Sequence, residues 1–503
     1  MEAAAERARF RELQAGFAKA WAGLAADPKA PRTVVVLPSL SLDAEVMSRI
    51  SGVHYYEERM LCMLLLLRLP RTRLVFVSSQ PVAVSTIEYY LSLLPSVPHT
   101  HARARLHLIC CHDATQRPLA EKLLSRPRQV ERIRELIQDP ASAHLSCFTV
   151  SPAERALAVR LGVPIYGCDP DLARLGSKSG SRRIFREAGI GMPDGVEDLS
   201  DEQAVAEALT ELKARDPGLR RAVVKLNEGF SGEGNAVFSF AGAPSGPGLH
   251  PWVSERLPKL GFAAEGMDWE TYRGKLREMG AITEAFIESQ EKRSPSAQYR
   301  VEPDGTLDVI STHDQVLGGP SAQIFLGCEF PADPAYRLEI QAVGLKAALR
   351  LREHGVLGRF GIDFISARRG RCWEHHAIEV NLRKGGTTHP NLMLQFMTDG
   401  AYRPETGTFA APTGQLCCYH ASDNVQADAY RGLTPDDLVE LAVLEGLHFD
   451  RARHEGVVFH LIGALSEFGK LGMVCVGPTL ERARELFRAT IAVLDRETGN
   501  ARG

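Results

Sequence analysis

Ala222-Val-Val-Lys-Leu-Asn-Glu-Gly-Phe-Ser-Gly-Glu-Gly-Asn235 is an apolar strand that ends on a lysine and runs into a glycine-rich loop. A lysine closing Val223-Val224 sits where its ammonium must leave the end of a sheet. Gly229, Ser231, Gly232 and Gly234 follow within ten residues. A loop of that composition lets backbone N–H groups approach phosphate oxygens with no Cβ in the way, while Lys225 supplies a point charge. The plain alternative is a flexible hairpin with a solvated lysine. Gly-x-x-x-x-Gly-Lys-Ser/Thr is absent, so the segment is not a Walker loop.

Downstream, Gly361-Ile-Asp-Phe-Ile365 is an apolar strand with no packing reason to carry a carboxylate. The next apolar run ends Ala377-Ile-Glu-Val-Asn381, where Glu379 and Asn381 are two apart and share a strand face. Asp363, Glu379 and Asn381 thus offer two carboxylates and an amide oxygen, the oxygen set that Mg²⁺ accepts when substrate phosphates complete its shell. Arg383 and Lys384 follow in Leu382-Arg-Lys-Gly-Gly-Thr-Thr-His-Pro390, where they would reach a transferring phosphoryl group or a substrate carboxylate, with His389 a further candidate; the plain alternative is an ordinary basic turn after a strand.

Around these motifs the chain of 503 residues falls into three stretches behind an N-terminal helix at 1–30. From 31 to 174, Thr33–Leu37, Leu74–Val77, Leu106–Cys110 and Leu145–Val150 read as buried strands. They alternate with helical patterns such as Glu57–Leu67, Thr86–Leu94 and Val130–Ile137, which predicts a parallel sheet with helices on its faces. No Gly-x-Gly-x-x-Gly follows the first strand, which argues against a dinucleotide site there. From 175 to 403 the pattern predicts a helix through Arg186, the strand 222–225, a surface loop at Ala241–Pro251, the strand Ile282–Ile287 and a helix over Pro334–Glu353. The remainder, 404–503, carries a strand-like Gln415–Tyr419 and a final helix Leu480–Asp495, and predicts a small α/β domain. The expected fold is therefore α/β.

Composition narrows the function. A net charge of −3 gives no bulk field for nucleic acid or an anionic membrane. The longest apolar run near the N-terminus, Met60–Leu67, is far short of a bilayer span, and the charged first residues are unlike a signal peptide. Ten scattered cysteines without Cys-x-x-Cys read as reduced thiols of a cytoplasmic protein. Cys328 and Cys372 have no visible base and read as packing residues.

The order Lys178 in Gly176-Ser-Lys-Ser-Gly180, Lys225 with its loop, Glu284 in Thr283-Glu-Ala-Phe-Ile287, Asp363, and Glu379-Val-Asn-Leu-Arg383 resembles the ATP-grasp superfamily. The segments Ser294-Pro-Ser-Ala-Gln298, Thr312-His-Asp-Gln-Val-Leu-Gly-Gly319 and Phe459-His-Leu-Ile-Gly-Ala-Leu-Ser-Glu-Phe-Gly-Lys-Leu-Gly472 are similar to the peptide ligases of the pheganomycin type. The resemblance implies a Rossmann-like pre-ATP-grasp domain, an ATP-grasp fold and a family-specific C-terminal domain. It implies that Lys178 and Lys225 bind ATP phosphates and that the strand end at Glu284, Ala285, Phe286, Ile287 and Glu288 receives the nucleoside. Asp363, Glu379 and Asn381 would hold Mg²⁺, with Mn²⁺ the alternative ion, and Lys225 and Arg383 would be catalytic. Glu288 and Gln298 both stand where a ribose contact is expected, Arg300 on the phosphate side. Asp314 and Gln315 either line the site or cap a turn. The chain departs from the superfamily's Asn-Pro-Arg with Asn381-Leu382-Arg383.

The activity implied is a carboxylate–amine ligation through an acylphosphate with release of ADP and phosphate. The partners would be small-molecule or peptide carboxylates and amines, without nucleic acid or membrane and with a homo-oligomer allowed. The competing reading is a non-catalytic ATP-binding sensor or scaffold.

Overall fold

The computed structural model describes residues 3–40, 47, 50–228, 234–264, 266–318 and 324–499. After the helix Ala3–Ala26, strands β1 (Arg32–Leu37), β2 (Thr72–Ser78), β3 (Leu106–Cys110) and β4 (Ala143–Cys147) form a parallel sheet in the order β3-β2-β1-β4. Both faces are covered, as an all-parallel sheet requires. Val34 and Val36 enter one apolar core while Val35 and Leu37 enter the other. The Glu57–Leu67 pattern lies in a 3₁₀ segment, Val53–Arg68.

The second sheet is antiparallel, with β5 (Gly195–Leu199), β6 (Arg221–Leu226), β7 (Asn235–Ser239), β8 (Gly261–Phe262) and β9 (Ala281–Ala285) in the order β5-β9-β6-β7-β8. Period-two alternation sends Ala222, Val224 and Leu226 of β6 into a core built with the helices Glu202–Arg215 and Trp269–Met279. Val223 and Lys225 face the other way, into a cleft. The expected loop at 241–251 is shorter than predicted, because a helix starts at Leu249.

The third sheet is the largest. It comprises β10 (Lys292–Arg293), β11 (Pro295–Val301), β12 (Leu307–Gly318), β13 (Ile324–Phe330), β14 (Gly358–Arg369) and β15 (Cys372–Asn381). A short hairpin, β16 (Ala401–Arg403) and β17 (Thr408–Ala410), stands apart, and β18 (Cys418–Gln426), β19 (Gly456–His460) and β20 (Lys470–Gly477) complete the large sheet. Its order is β10-β14-β11-β12-β13-β18-β20-β19, with β15 also paired to β14. The helix Arg337–Glu353 covers one face over β11 and β12. The strand expected at Gln415–Tyr419 begins at Cys418, since Leu416 and its neighbours precede the pairing with β20. β18 pairs with β13 from Phe330↔Tyr419 to Gly327↔Ser422, so the C-terminal strands extend the sheet of the middle stretch. One apolar core joins residues of the first sheet, the helix Thr388–Thr398 and β18–β20. Among the described residues no helix is long and apolar enough to cross a membrane.

Candidate active site

The second and third sheets face each other across a cleft of about 640 Å³. Lys225 and Glu284 line one wall, and Asp363, Glu379, Asn381 and Arg383 the other. Arg59 and Phe148 reach it from the first stretch.

On the large sheet, alternation along β14 buries Phe360, Ile362 and Phe364 beneath the helix Arg337–Glu353 and turns Gly361, Asp363 and Ile365 to the cleft. Asp363 is directly opposite Glu379, and Gly361 opposite Asn381. The pairing slips after Asp363, leaving Ile378 as an extra residue, and this bulge lets β15 present Ile378 and Glu379 together to the cleft. Asn381 Nδ2 donates to Asp363 Oδ2 at 3.0 Å. Burial, and then the Glu379 charge beside it, push the Asp363 carboxyl up to about 7. Such a site is short of positive charge.

Lys178 brings one cation to it. It is the first residue of the helix Lys178–Glu187, whose N-cap Ser177 accepts from the Gly180 N–H at 3.0 Å, and its ammonium donates to Glu379 Oε1. Only glycine fits at 180, where a Cβ would lie 1.9 Å from the Arg174 carbonyl oxygen. Asn227 fastens this turn to the start of the glycine loop. Its carbonyl accepts from Lys178 N at 3.1 Å, and its side-chain oxygen from Ser179 N at 3.0 Å and Ser179 Oγ at 2.8 Å. The two lysine-bearing segments are therefore one unit. Gly229, Ser231 and Gly232 lie outside the described residues; Gly234 precedes β7, and its carbonyl accepts from the Leu226 N–H and the Tyr272 hydroxyl.

On the facing sheet Lys225, 7% exposed, donates to Glu284 Oε2 at 2.5 Å, and Glu284, 2% exposed, takes Arg182 Nη1 on its other oxygen at 2.8 Å. Glu284 is thus a buried anchor that aims Lys225, and Arg182, from the same helix as Lys178, completes the anchor. The sequence reading missed Arg182, which lies among basic residues that look like helix surface. From the end of β9 onward, Ala285, Phe286 and Ile287 line the cleft, and Phe286 lies under the Arg221 guanidinium at 4.0 Å and the Lys292 ammonium at 4.4 Å. Glu288 turns to a separate hollow beside Arg220 and is held by Arg221 at 2.8 and 2.9 Å. Gln298 is the one of the two ribose candidates that lines the cleft.

Other candidates separate in the same way. Gln315 faces the cleft, whereas its neighbour Asp314 accepts from the Tyr336 hydroxyl at 2.5 Å and the Asp333 N–H at 2.8 Å and so braces the chain after β13. Arg300 pairs with Asp308 and Glu302, each at 2.7 Å. Arg383 lines the cleft, its guanidinium lowered by burial and partly sustained by Glu379 and Asp363. Lys384 points away and donates to the Cys147 carbonyl at 2.5 Å, tying the turn to β4. His389 is buried against Asp423 and His460. Cys328 is buried and Cys372 exposed, neither in the cleft. Arg59 was the second residue missed: it follows Glu57 and Glu58 just before the apolar run at Met60, and nothing in sequence tells a buried arginine there from a solvated one.

Two facing sheets thus place Lys225 on one side of the cleft and a carboxylate–amide set, joined by Lys178, on the other, and the comparisons with known proteins identify the fold. A family model described as "IQCH-like, ATP-grasp" matches residues 170–243 and 263–403, and one described as "PGM1 C-terminal domain" matches 437–490. The chain is 31% identical over 472 residues to an L-propargylglycine–L-glutamate ligase of Streptantibioticus cattleyicolor, covering 92% of this chain and 94% of that one. It is 22% identical to the IQ motif-containing protein H of Danio rerio, over 93% of this chain and 49% of that protein, so it spans about half the length of that relative. Among solved structures, the biotin carboxylase domain of Hydrogenobacter thermophilus 2-oxoglutarate carboxylase superposes with a TM-score of 0.54 at 11% identity, over 91% of this chain and 89% of that one. The chain belongs to the ATP-grasp superfamily.

Proposed function

We propose that this protein is an ATP-dependent carboxylate–amine ligase that forms an amide bond through an acylphosphate. The observation that carries the reading is the convergence of Lys178, Lys225, Asp363, Glu379, Asn381 and Arg383 on one cleft, in a chain 31% identical to an amino-acid ligase. In the reaction a substrate carboxylate oxygen attacks the γ-phosphorus of ATP and ADP leaves. The amine nitrogen then attacks the acyl carbon, phosphate leaves, and the amine loses a proton. The chemistry needs positioning and charge neutralisation rather than a nucleophilic side chain, which suits this residue set.

Lys225, aimed by Glu284, and Lys178 would bind the ATP phosphates, helped by the backbone of the loop at Gly229, Ser231, Gly232 and Gly234. Ala285, Phe286 and Ile287 would receive the adenine, with Gln298 rather than Glu288 near the ribose. Arg383 would steady the phosphoryl group in flight. Asp363, Glu379 and Asn381 fit Mg²⁺: they are hard oxygen donors facing one another, with the Lys178 ammonium on Glu379 and the Arg383 guanidinium and the Gln315 and Asn381 amides beside Asp363. The same set would accept Mn²⁺. The ion, when bound, neutralises charge on the transferring phosphoryl group.

The substrates are read as small amino acids or short peptides, one giving the carboxylate and one the amine, as the name of the ligase relative suggests. Ten free thiols fit a cytoplasmic location. The test is ADP release by the purified chain with Mg-ATP against pooled amino acids, with product masses recorded and Lys225→Ala as control. Substrate-dependent ADP release together with a new amide mass is expected. Tight ATP binding without turnover in any pool would instead favour a sensor.

A further inference from the structure

Behind the cleft, three segments bring one donor atom each to a single point. His389 stands at the start of the helix Thr388–Thr398, just past the turn that carries Arg383; Asp423 lies on β18 and His460 ends β19. His389 Nε2 is 3.0 Å and His460 Nε2 2.8 Å from Asp423 Oδ1, and the two ring nitrogens are 3.0 Å apart. All three residues are buried, with exposures of 2%, 5% and 0% for His389, Asp423 and His460.

Protons alone do not satisfy this triangle. Each Nε2 carries at most one hydrogen and the carboxylate carries none, so two hydrogens serve three contacts and the remaining contact sets like partial charges together. Both Nδ1 atoms are buried without a hydrogen-bond partner, so neither ring gains elsewhere what it loses at the triangle. A cation that takes one lone pair from each corner removes the like-charge contact. Space is made for the arrangement as well: Gly472 lies opposite His460 in the β19–β20 register, and a Cβ there would come within 2.1 Å of His460 Nε2.

We propose that His389, Asp423 and His460 bind a late first-row divalent cation of the zinc class, at a site distinct from the oxygen set of Asp363, Glu379 and Asn381. Imidazole nitrogen selects zinc and its neighbours over Mg²⁺, which prefers oxygen. Asp423 Oδ2 also takes Arg59 Nη1 at 3.1 Å, and Arg59 lines the cleft. The arginine fixes the carboxylate's orientation while its charge tempers the affinity. A buried ion here would be structural, tying β18 and β19 to the Arg383 turn and, through Asp423, to Arg59 in the cleft wall.

The probe is Zn²⁺ itself. The full chain is dialysed against Zn²⁺ in excess Mg²⁺, then against metal-free buffer, and its metal content is measured by mass spectrometry. The wild type and Asp363→Asn should each retain about one zinc per chain, and His460→Gln and His389→Gln should bind it at least tenfold more weakly. Should the histidine variants fail to fold, Co²⁺ replaces Zn²⁺ in the wild type and in Asp363→Asn. Intense visible d–d bands of a low-coordinate imidazole site are expected in both. A wild type that retains no zinc, histidine variants that retain as much as wild type, or only the weak bands of six-coordinate Co²⁺ would overturn the proposal.

Discussion

Lys225 shows how a single charge comes to be placed. Strand alternation turns it to the cleft, the adjacent strand supplies Glu284 to hold it, and Arg182 neutralises the other oxygen of that carboxylate. Removing Lys225 leaves Glu284 still paired, so Lys225→Ala should fold while substrate-dependent ADP release falls by about 10²–10³-fold, the scale of losing one preorganised charge on a transferring group. Circular dichroism and an ADP assay check both halves. At Asp363, exchange for Asn removes one anionic donor, and an Mg²⁺ titration of ADP release should show a raised requirement, with the melting temperature changed little. Lys225 and Asp363 were legible because each is a charge out of place on an apolar strand. Glu288 was not, since beyond Ala285 the chain leaves β9 and alternation no longer says where a side chain points. Arg59 and Asp423 were hidden for a different reason: their partners come from segments 364 residues apart in the chain.

At the scale of elements, register decides what the sequence cannot. The strands of the first sheet and the 222–225 and 358–365 runs were readable from apolar content, whereas the slip at Ile378 that presents Glu379 to the cleft depends on pairing between β14 and β15. The pairing of β13 with β18 is equally specific. A Cβ on Gly327 would stand 2.0 Å from the Ala421 carbonyl oxygen, which is backbone and has little room to yield. Gly327→Ala should therefore cost about 1–3 kcal/mol of stability, read as a lower urea midpoint. The 3₁₀ segment Val53–Arg68 makes a second prediction. It buries Glu57, which accepts from Ser79 N at 2.6 Å and Ser79 Oγ at 2.5 Å, and Glu58, which accepts from Gly463 N at 3.1 Å. Burial pushes both carboxyls from the usual 4.5 up to about 7. The folded state therefore holds these protons over a range where the unfolded chain has released them, and their contribution to stability is lost as pH rises from about 4.5 through about 7. Urea midpoints of the wild type and of Glu57→Gln/Glu58→Gln across that window should differ in slope, the variant's falling less. Equal slopes would remove these residues from the account.

The whole molecule is more continuous than its three sequence patterns suggest. Composition and periodicity separate 404–503 from what precedes it, yet β18 adds directly to β13, and a single apolar core runs from the first sheet to the final helix. Long-range strand addition leaves no local signal, which is why the C-terminal stretch reads from sequence as a small domain of its own. We propose that the divisions near 174 and 403 mark units of sequence more than of folding. A chain ending at 403 would expose the edge of β13 and the apolar faces left by β18–β20, and it should aggregate on expression while the full chain stays monodisperse by light scattering. A well-folded 1–403 fragment would refute this.

The central claim concerns what the cleft makes. Purified full-length chain, Mg-ATP and pooled amino acids, followed by mass spectrometry of the products, test it most directly. The account predicts an amide whose mass equals that of two pool members less one water, formed with one ADP per bond and about 10²–10³-fold more slowly in Lys225→Ala. ADP formed without any amide, or an amide formed equally well by Lys225→Ala, would contradict it.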